Sequence, residues 1–194
     1  MPTTQTIDRG SARERLLAAA DELFYEQGVH TVGIDRVIER AGVAKATLYS
    51  AFGSKDALIG AYLERRHETA RERIREALAT RYHSPRERIL GIFDVTGERI
   101  TTPGFRGCPF VNASAESPSG GIVEQASNES RAWLRELFLG LAREAGAAEP
   151  ELLSRQLMLL YDGALVAGRM DRDLSAAAGA RAAAALLVDG SMTA

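Results

Sequence analysis

Two short apolar repeats on either side of a four-residue link constrain this chain more than any other feature. Ile34, Val37, Ile38 and Ala41 recur at helical spacing and stop at Gly42, while Leu48 and Phe52 recur at i and i+4 and stop at Gly53. Between them runs Ala41-Gly42-Val43-Ala44. Glycine allows a tight turn there, and Val43 can plug the angle between two helices, so the pattern is that of a helix-turn-helix.

The same region is selective about charge. The chain of 194 residues carries a formal charge of −2, and the balance is even before and after Arg66, with 9 basic and 9 acidic residues up to it and 15 and 17 beyond it. Residues 40–55 nevertheless hold Arg40, Lys45 and Lys55 and no carboxylate. Net charge excludes a basic coat protein but not nucleic-acid binding, which depends on local charge. The second helix of such a motif enters the major groove, where an acid would face phosphates at contact distance. With Leu48 and Phe52 turned to the core, Lys45, Ala46, Thr47, Tyr49 and Ser50 face outward. Lys45 and Lys55 suit phosphate neutralisation, Thr47 and Tyr49 suit hydrogen bonds to phosphate oxygens, and Ala46 permits close approach.

The remaining chain reads as helices too. Ser11-Ala12-Arg13-Glu14 is a capping-box pattern that opens a helix over 12–27, closed by Gly28, with Arg9 a basic tip before it. Ser54 caps a helix over 55–81, about 40 Å long at ~1.5 Å per residue, with opposite charges at helical spacing such as Glu68 and Arg71. A helix of that length links more than one small unit. Ser84-Pro85-Arg86-Glu87 starts another, running to about Thr101. "CPFVNASAE" is a short helix at best; longer helices follow over 122–145, 149–169 and 176–189. No period-two pattern occurs, alanine and leucine dominate, and the fold class is all-α with about nine helices.

Other chemistry is sparse. The single cysteine, Cys108, excludes an internal disulfide, and with Arg106 its only basic neighbour it suits packing near a pocket better than thiol sensing. His30, His67 and His83 stand at dissimilar spacings that suit no metal site, and His67 falls on the charged surface of the long helix. There is no Gly-x-Ser-x-Gly and no phosphate-cradling loop, so no catalytic residue, metal or cofactor is assigned. The first residues form no apolar signal core and no stretch is long enough to span a bilayer, which leads us to expect a cytoplasmic protein.

"GVHTVGIDRVIERAGVAKATLYSAFGSKDAL" closely resembles the DNA-binding segment of TetR/AcrR-type transcriptional regulators, and the likeness extends from Arg13 to Leu63. "FRGCPFVNASAE" and "ELLSRQLMLLYDGALVAGRM" resemble segments of the ligand-binding halves of that family. The resemblance implies a DNA-binding unit over 1–54 and a ligand-binding and dimerisation unit over 55–194, joined by the 55–81 helix. It implies double-stranded operator DNA as partner, contacted by Lys45, Thr47, Tyr49, Ser50, Lys55 and the start of the second helix. Val32-Gly33 replaces the family's hydroxyl pair, which moves one phosphate contact to the Gly33 backbone or to Thr31; Ala44 replaces the serine that caps the third helix.

The resemblance further implies a cavity for a largely apolar small molecule. Tyr62, Phe93, Phe105, Cys108, Phe110, Trp133, Phe138 and Tyr161 are its candidate walls, with Asn112, Glu116 and Arg106 as candidate polar groups. The last two helices carry small and apolar faces, including Leu157, Leu160, Ala164, Ala182 and Leu186, which suggest a two-fold interface. In the family those helices pair as a four-helix bundle, setting two heads about one turn of DNA, ~34 Å, apart. The expected function is a homodimeric, sequence-specific repressor released by a small molecule. A ligand-independent regulator or activator of the same fold, and an enzyme on a helical scaffold, are the alternatives.

Overall fold

The computed structural model describes residues 10–192, so Arg9 lies outside the described residues. Among these, nine α-helices follow one another: α1 (Ala12–Gln27), α2 (Ile34–Ala41), α3 (Lys45–Phe52), α4 (Lys55–Arg81), α5 (Pro85–Ile100), α6 (Pro109–Glu116), α7 (Ile122–Glu144), α8 (Pro150–Met170) and α9 (Ala176–Ser191). The described residues form no strand. The short α6 is the one element the sequence pattern left marginal; Pro109 at its first position presets the backbone, and Phe110 and Ala113 bury its inner face.

Local chemistry sets the helix ends. Ser11, Ser54 and Ser84 each accept a hydrogen bond from the N–H three residues on, and at Ser84 the Glu87 side chain completes the reciprocal box. Gly42 closes α2 in the left-handed region, at φ 63°, and two bonds seal the turn: Gly42 N–H to the Glu39 carbonyl, and Val43 N–H to that of Ile38. Half-buried Val43 then packs on the core between α1, α2 and α3.

Two main cores form. The first gathers Leu16, Leu23 and Phe24 of α1, Val37 of α2, Leu48 of α3 and Leu58, Ile59, Tyr62 and Leu63 of α4, and it extends to Phe110 and Ala113 of α6. The second joins Ile74, Ala77 and Leu78 of α4 to α5, α7, α8 and α9. One helix therefore contributes its first turns to one core and its last turns to the other.

This partition corrects several expected roles. Tyr62 is fully buried with its ring edge-on to Phe24 at 5.7 Å, and Phe93 and Phe138 pack on each other at 6.0 Å inside the second core. Phe105 packs on the small cluster around Ile100 and Leu165. None of these four lines the main cavity; their rings fill space between helices of the chain itself. Leu157 and Ala164, expected at a two-fold interface, are likewise buried in intrachain cores. Leu160 is half-buried, and Ala182 and Leu186 are exposed.

Candidate nucleic-acid interface and the cavity behind it

Three helix starts converge on one side of the first core. The Lys45 ammonium, at the start of α3, meets Asp35 in the first turn of α2 at 2.9 Å. Lys55, at the start of α4, donates to the His30 carbonyl at 3.4 Å, beside the loop that carries Thr31 and Gly33. Gly33 and Ala44 precede their helices in extended conformation with no side-chain cap. That leaves first-turn N–H groups free for an anion, the arrangement helix starts use to hold phosphate. Thr31, Gly33, Lys45, Ala46, Tyr49 and Ser50 are exposed, Thr47 and Lys55 half-buried. The sequence pattern missed Asp35: residues 40–55 exclude acids, yet the fold supplies one from α2. Asp35 holds the Lys45 ammonium above its ordinary pKa, by hydrogen bond first and charge second.

Behind this head lies a cavity of about 350 Å³, walled by the middle of α4, the start of α6, and α7 and α8. Of the expected wall residues, Cys108, Phe110, Trp133 and Tyr161 line it. Asn112 instead donates to the Arg106 carbonyl at 2.9 Å and borders a smaller cavity of about 160 Å³ on the far side of Cys108. The polar wall is one the sequence pattern did not single out: Arg66, Arg73, Arg99, Arg131 and Asp162. Asp162 receives two bonds from Arg131, at 3.0 and 2.8 Å. Burial pushes the Tyr161 hydroxyl up to about 12.

The cavity wall and the head are bonded to one another. Arg66 reaches from α4 to Asp21 of α1 at 2.6 Å and stacks over the Tyr25 ring at 4.2 Å. The Tyr25 hydroxyl accepts from Arg106 N–H at 2.9 Å and donates to the Gly107 carbonyl at 3.0 Å. The same carbonyl accepts from Arg99 of the cavity wall at 3.1 Å. At the far end of α6, Glu116 accepts from His30 N–H at 2.9 Å, and Ser117 Oγ lies 3.2 Å from His30 Nε2. Gly28 makes room for this contact: it sits at φ 94°, and a Cβ there would collide with the Glu116 carboxylate. Glu116 and Arg106 thus serve the junction with α1 and its following loop, not the cavity.

His67 also departs from expectation. It is not a solvated surface group; it lines the cavity, edge-on to Trp133 at 5.9 Å and to Phe110 at 6.4 Å. Among the described residues no group of three His, Cys, Asp or Glu could hold a metal ion, and no helix is long and apolar enough to cross a membrane. Burial first, and Arg71 second, hold the His67 imidazole below its usual pKa of 6.5. With the folded value depressed, the unfolded chain binds more protons between the two values, so this contribution is complete above the unfolded pKa. It is lost as pH falls from about 6.5 through the folded value. Melting temperatures followed from neutral pH downward should drop below about pH 6.5, and His67→Gln should make that drop shallower. Equal drops in both proteins would remove His67 as the cause.

The comparisons with known proteins agree with this geometry. The sequence profile of the family described as bacterial regulatory proteins, tetR family, matches residues 16–62, which span α1 to the early turns of α4. The crystal structure of a TetR-family transcriptional regulator from Streptomyces coelicolor superposes with a TM-score of 0.88 at 32% identity, covering 94% of this chain and 96% of that one. The HTH-type transcriptional repressor NemR of Escherichia coli (strain K12) is 33% identical over 105 residues, 54% of this chain and 53% of that protein. The HTH-type transcriptional activator FasR of Mycolicibacterium smegmatis is 40% identical over 74 residues, 38% of this chain and 34% of that protein. The chain thus spans about half of NemR and a third of FasR, whereas it matches the Streptomyces structure almost end to end. All three of these relatives are described as regulators of transcription. The turn at Gly42, the outward face of α3 and the fold behind them make this chain a member of the TetR family of DNA-binding transcriptional regulators.

Proposed function

We propose that the chain acts as a homodimeric repressor that releases operator DNA when a small molecule occupies the cavity behind α4. The observation that carries this reading is the Gly107 carbonyl, which accepts at once from Arg99 in the cavity wall and from Tyr25 in the head. A molecule that displaces Arg99 or shifts α4 changes the footing of α1. Two arrangements of the head then differ in free energy with ligand bound and absent, which is what a population shift requires. The units 1–54 and 55–194 are the moving parts in this scheme.

In the DNA-bound state Lys45 leaves Asp35 for a phosphate, Lys55 and the uncapped starts of α2 and α3 hold further phosphates, and Tyr49, Ser50 and Ala46 face the groove. The two-fold interface lies on α8 and α9, one face round from Leu157. Leu152, Leu159, Val166 and Met170 on α8 and Leu186 on α9 are exposed, Leu159 at 72% and Leu186 at 77%. On α8, Leu159, Gly163, Val166 and Met170 follow one another at steps of four, three and four residues, and Leu152 stands seven residues, two turns, before Leu159, the spacing of a helix–helix seam. An exposed stripe of that size marks an interaction surface.

Three measurements test this reading. An operator duplex selected from random DNA serves the first two. Ala70→Phe, which pushes a ring from α4 into the cavity, should weaken operator affinity by about tenfold or more, the range of ordinary allosteric coupling. Adding Tyr25→Phe, which cuts both bonds to residues 106–107, should restore most of it; operator binding unchanged by Ala70→Phe would remove the cavity from control. Lys45→Ala should weaken binding to all duplexes and flatten the slope of log affinity against log salt by about 1.8, one phosphate contact for each protomer of the dimer, while Asp35→Asn should strengthen binding. An unchanged slope would take Lys45 off the phosphate. Leu159→Glu should convert a dimer to a monomer by sedimentation, and a wild-type chain that sediments as a monomer would exclude the two-fold assembly.

A further inference from the structure

Among the described residues four guanidinium groups reach the cavity and two of them are ion-paired to a carboxylate; Glu98, whose charge Arg73 also feels, is paired with Arg81. Asp21 answers Arg66 at 2.6 Å, and Asp162 answers Arg131 at 2.8 Å. Arg99 has the Gly107 carbonyl at 3.1 Å and the face of Phe105 at 5.8 Å, neither of which carries negative charge. Arg73 makes no side-chain hydrogen bond or ion pair among the described residues, and its Nε is buried without a partner. Burial first, and the neighbouring Arg99 second, push the Arg73 guanidinium below its usual pKa. His67 adds no anion, and Asp162 is already engaged by Arg131. A protein rarely leaves a desolvated cation facing a second one unless a ligand supplies the missing charge.

The rest of the wall is apolar and aromatic. Phe110, Trp133, Leu134, Ile74 and Met158 surround the space, so an inorganic anion would leave most of it unfilled. We propose that the cavity takes an organic carboxylate with an apolar body, its carboxylate on Arg73 and Arg99 and its body against Phe110, Trp133 and Met158. The planar fork of a guanidinium matches a carboxylate through two parallel bonds. This inference rests on the reading of the cavity as the effector site and adds the chemistry of the effector: an acid head on the apolar body that the sequence alone suggested. It also gives the carboxylate a mechanical role, because Arg99, held on the Gly107 carbonyl by one N–H, is pulled toward the anion as it receives it.

Matched pairs of probes separate charge from shape. Naphthoate with naphthamide, and octanoate with octanamide, are titrated calorimetrically into the full chain at neutral pH. Each acid should bind at least about tenfold more tightly than its amide, the worth of one charge-assisted hydrogen bond. Arg73→Gln and Arg99→Gln should each abolish that preference by weakening the acid to the level of its amide, with a melting temperature near that of the wild type showing that the fold survives the change. Arg73→Lys, which keeps the charge without the fork, should retain part of the preference. Amides binding as well as their acids would overturn the anion while leaving the cavity as a ligand site. An acid preference that survives in the double Gln variant would place the anion elsewhere, and binding of neither class would overturn both readings.

Discussion

The architecture depends on a single helix having to bury its two ends in different cores. Leu58, Ile59, Tyr62 and Leu63 of α4 belong to the head, and Ile74, Ala77 and Leu78 to the body. The turns between them belong to neither. Arg66, His67, Ala70 and Arg73 line a space that no side chain of the described residues fills. Interiors otherwise pack to near-crystalline density, so an unfilled volume in the middle of a rigid element is unusual. Any molecule that enters bears directly on the helix whose first residue, Lys55, sits at the head's exposed edge. The cavity and the recognition surface are thereby two ends of one mechanical part.

The magnitudes suit this arrangement. Allosteric coupling in proteins amounts to about 1–3 kcal/mol, and a neutral hydrogen bond in water contributes about 0.5–1.5 kcal/mol net. Rearranging the few bonds around Gly107, with those of Glu116 and Ser117 to His30, is enough to supply it. No larger remodelling of either core is needed. Reciprocity follows by linkage: whatever operator binding costs the ligand, ligand binding costs the operator. The Asp35–Lys45 pair works in the same balance. It lies in water, so it contributes little to folding, and in the proposed function its main effect is that Lys45 would exchange one anion for another on meeting DNA.

The helices and their ends were legible because periodicity and caps are local. Ser54, Ser84, Gly42 and Gly53 mark boundaries that the structure places where the pattern put them. Which face of a helix meets a void is not local. Phe93, Phe138 and Tyr62 looked like cavity walls because they are aromatic, but large rings are as useful for filling a core. His67 looked solvated because α4 carries opposite charges at helical spacing; only the packing of α6, α7 and α8 over it shows that His67, with Arg66 and Arg73, faces a cavity. Leu157 and Leu159 illustrate the same limit, since two leucines on one helix, two residues apart, face a core and open solvent respectively. Asp35 was invisible for a different reason: it lies outside the acid-free segment and returns to it only through the turn at Gly42.

The unpaired arginines turn a local cost into a functional gradient. Holding Arg73 beside Arg99 without an anion raises the free energy of the empty state, because a partly desolvated cation loses hydration and gains no partner. In the proposed scheme a bound carboxylate would remove that cost, so part of its binding energy would come from supplying the missing charge. The same charge would pull Arg99 away from the Gly107 carbonyl, whose other side-chain partner is the Tyr25 hydroxyl. In the proposed scheme ligand affinity and the displacement of α1 through Tyr25 are then one event seen from two ends. An uncharged ligand of the same shape would fill the space without moving Arg99, and so would occupy the cavity without the full effect on the head.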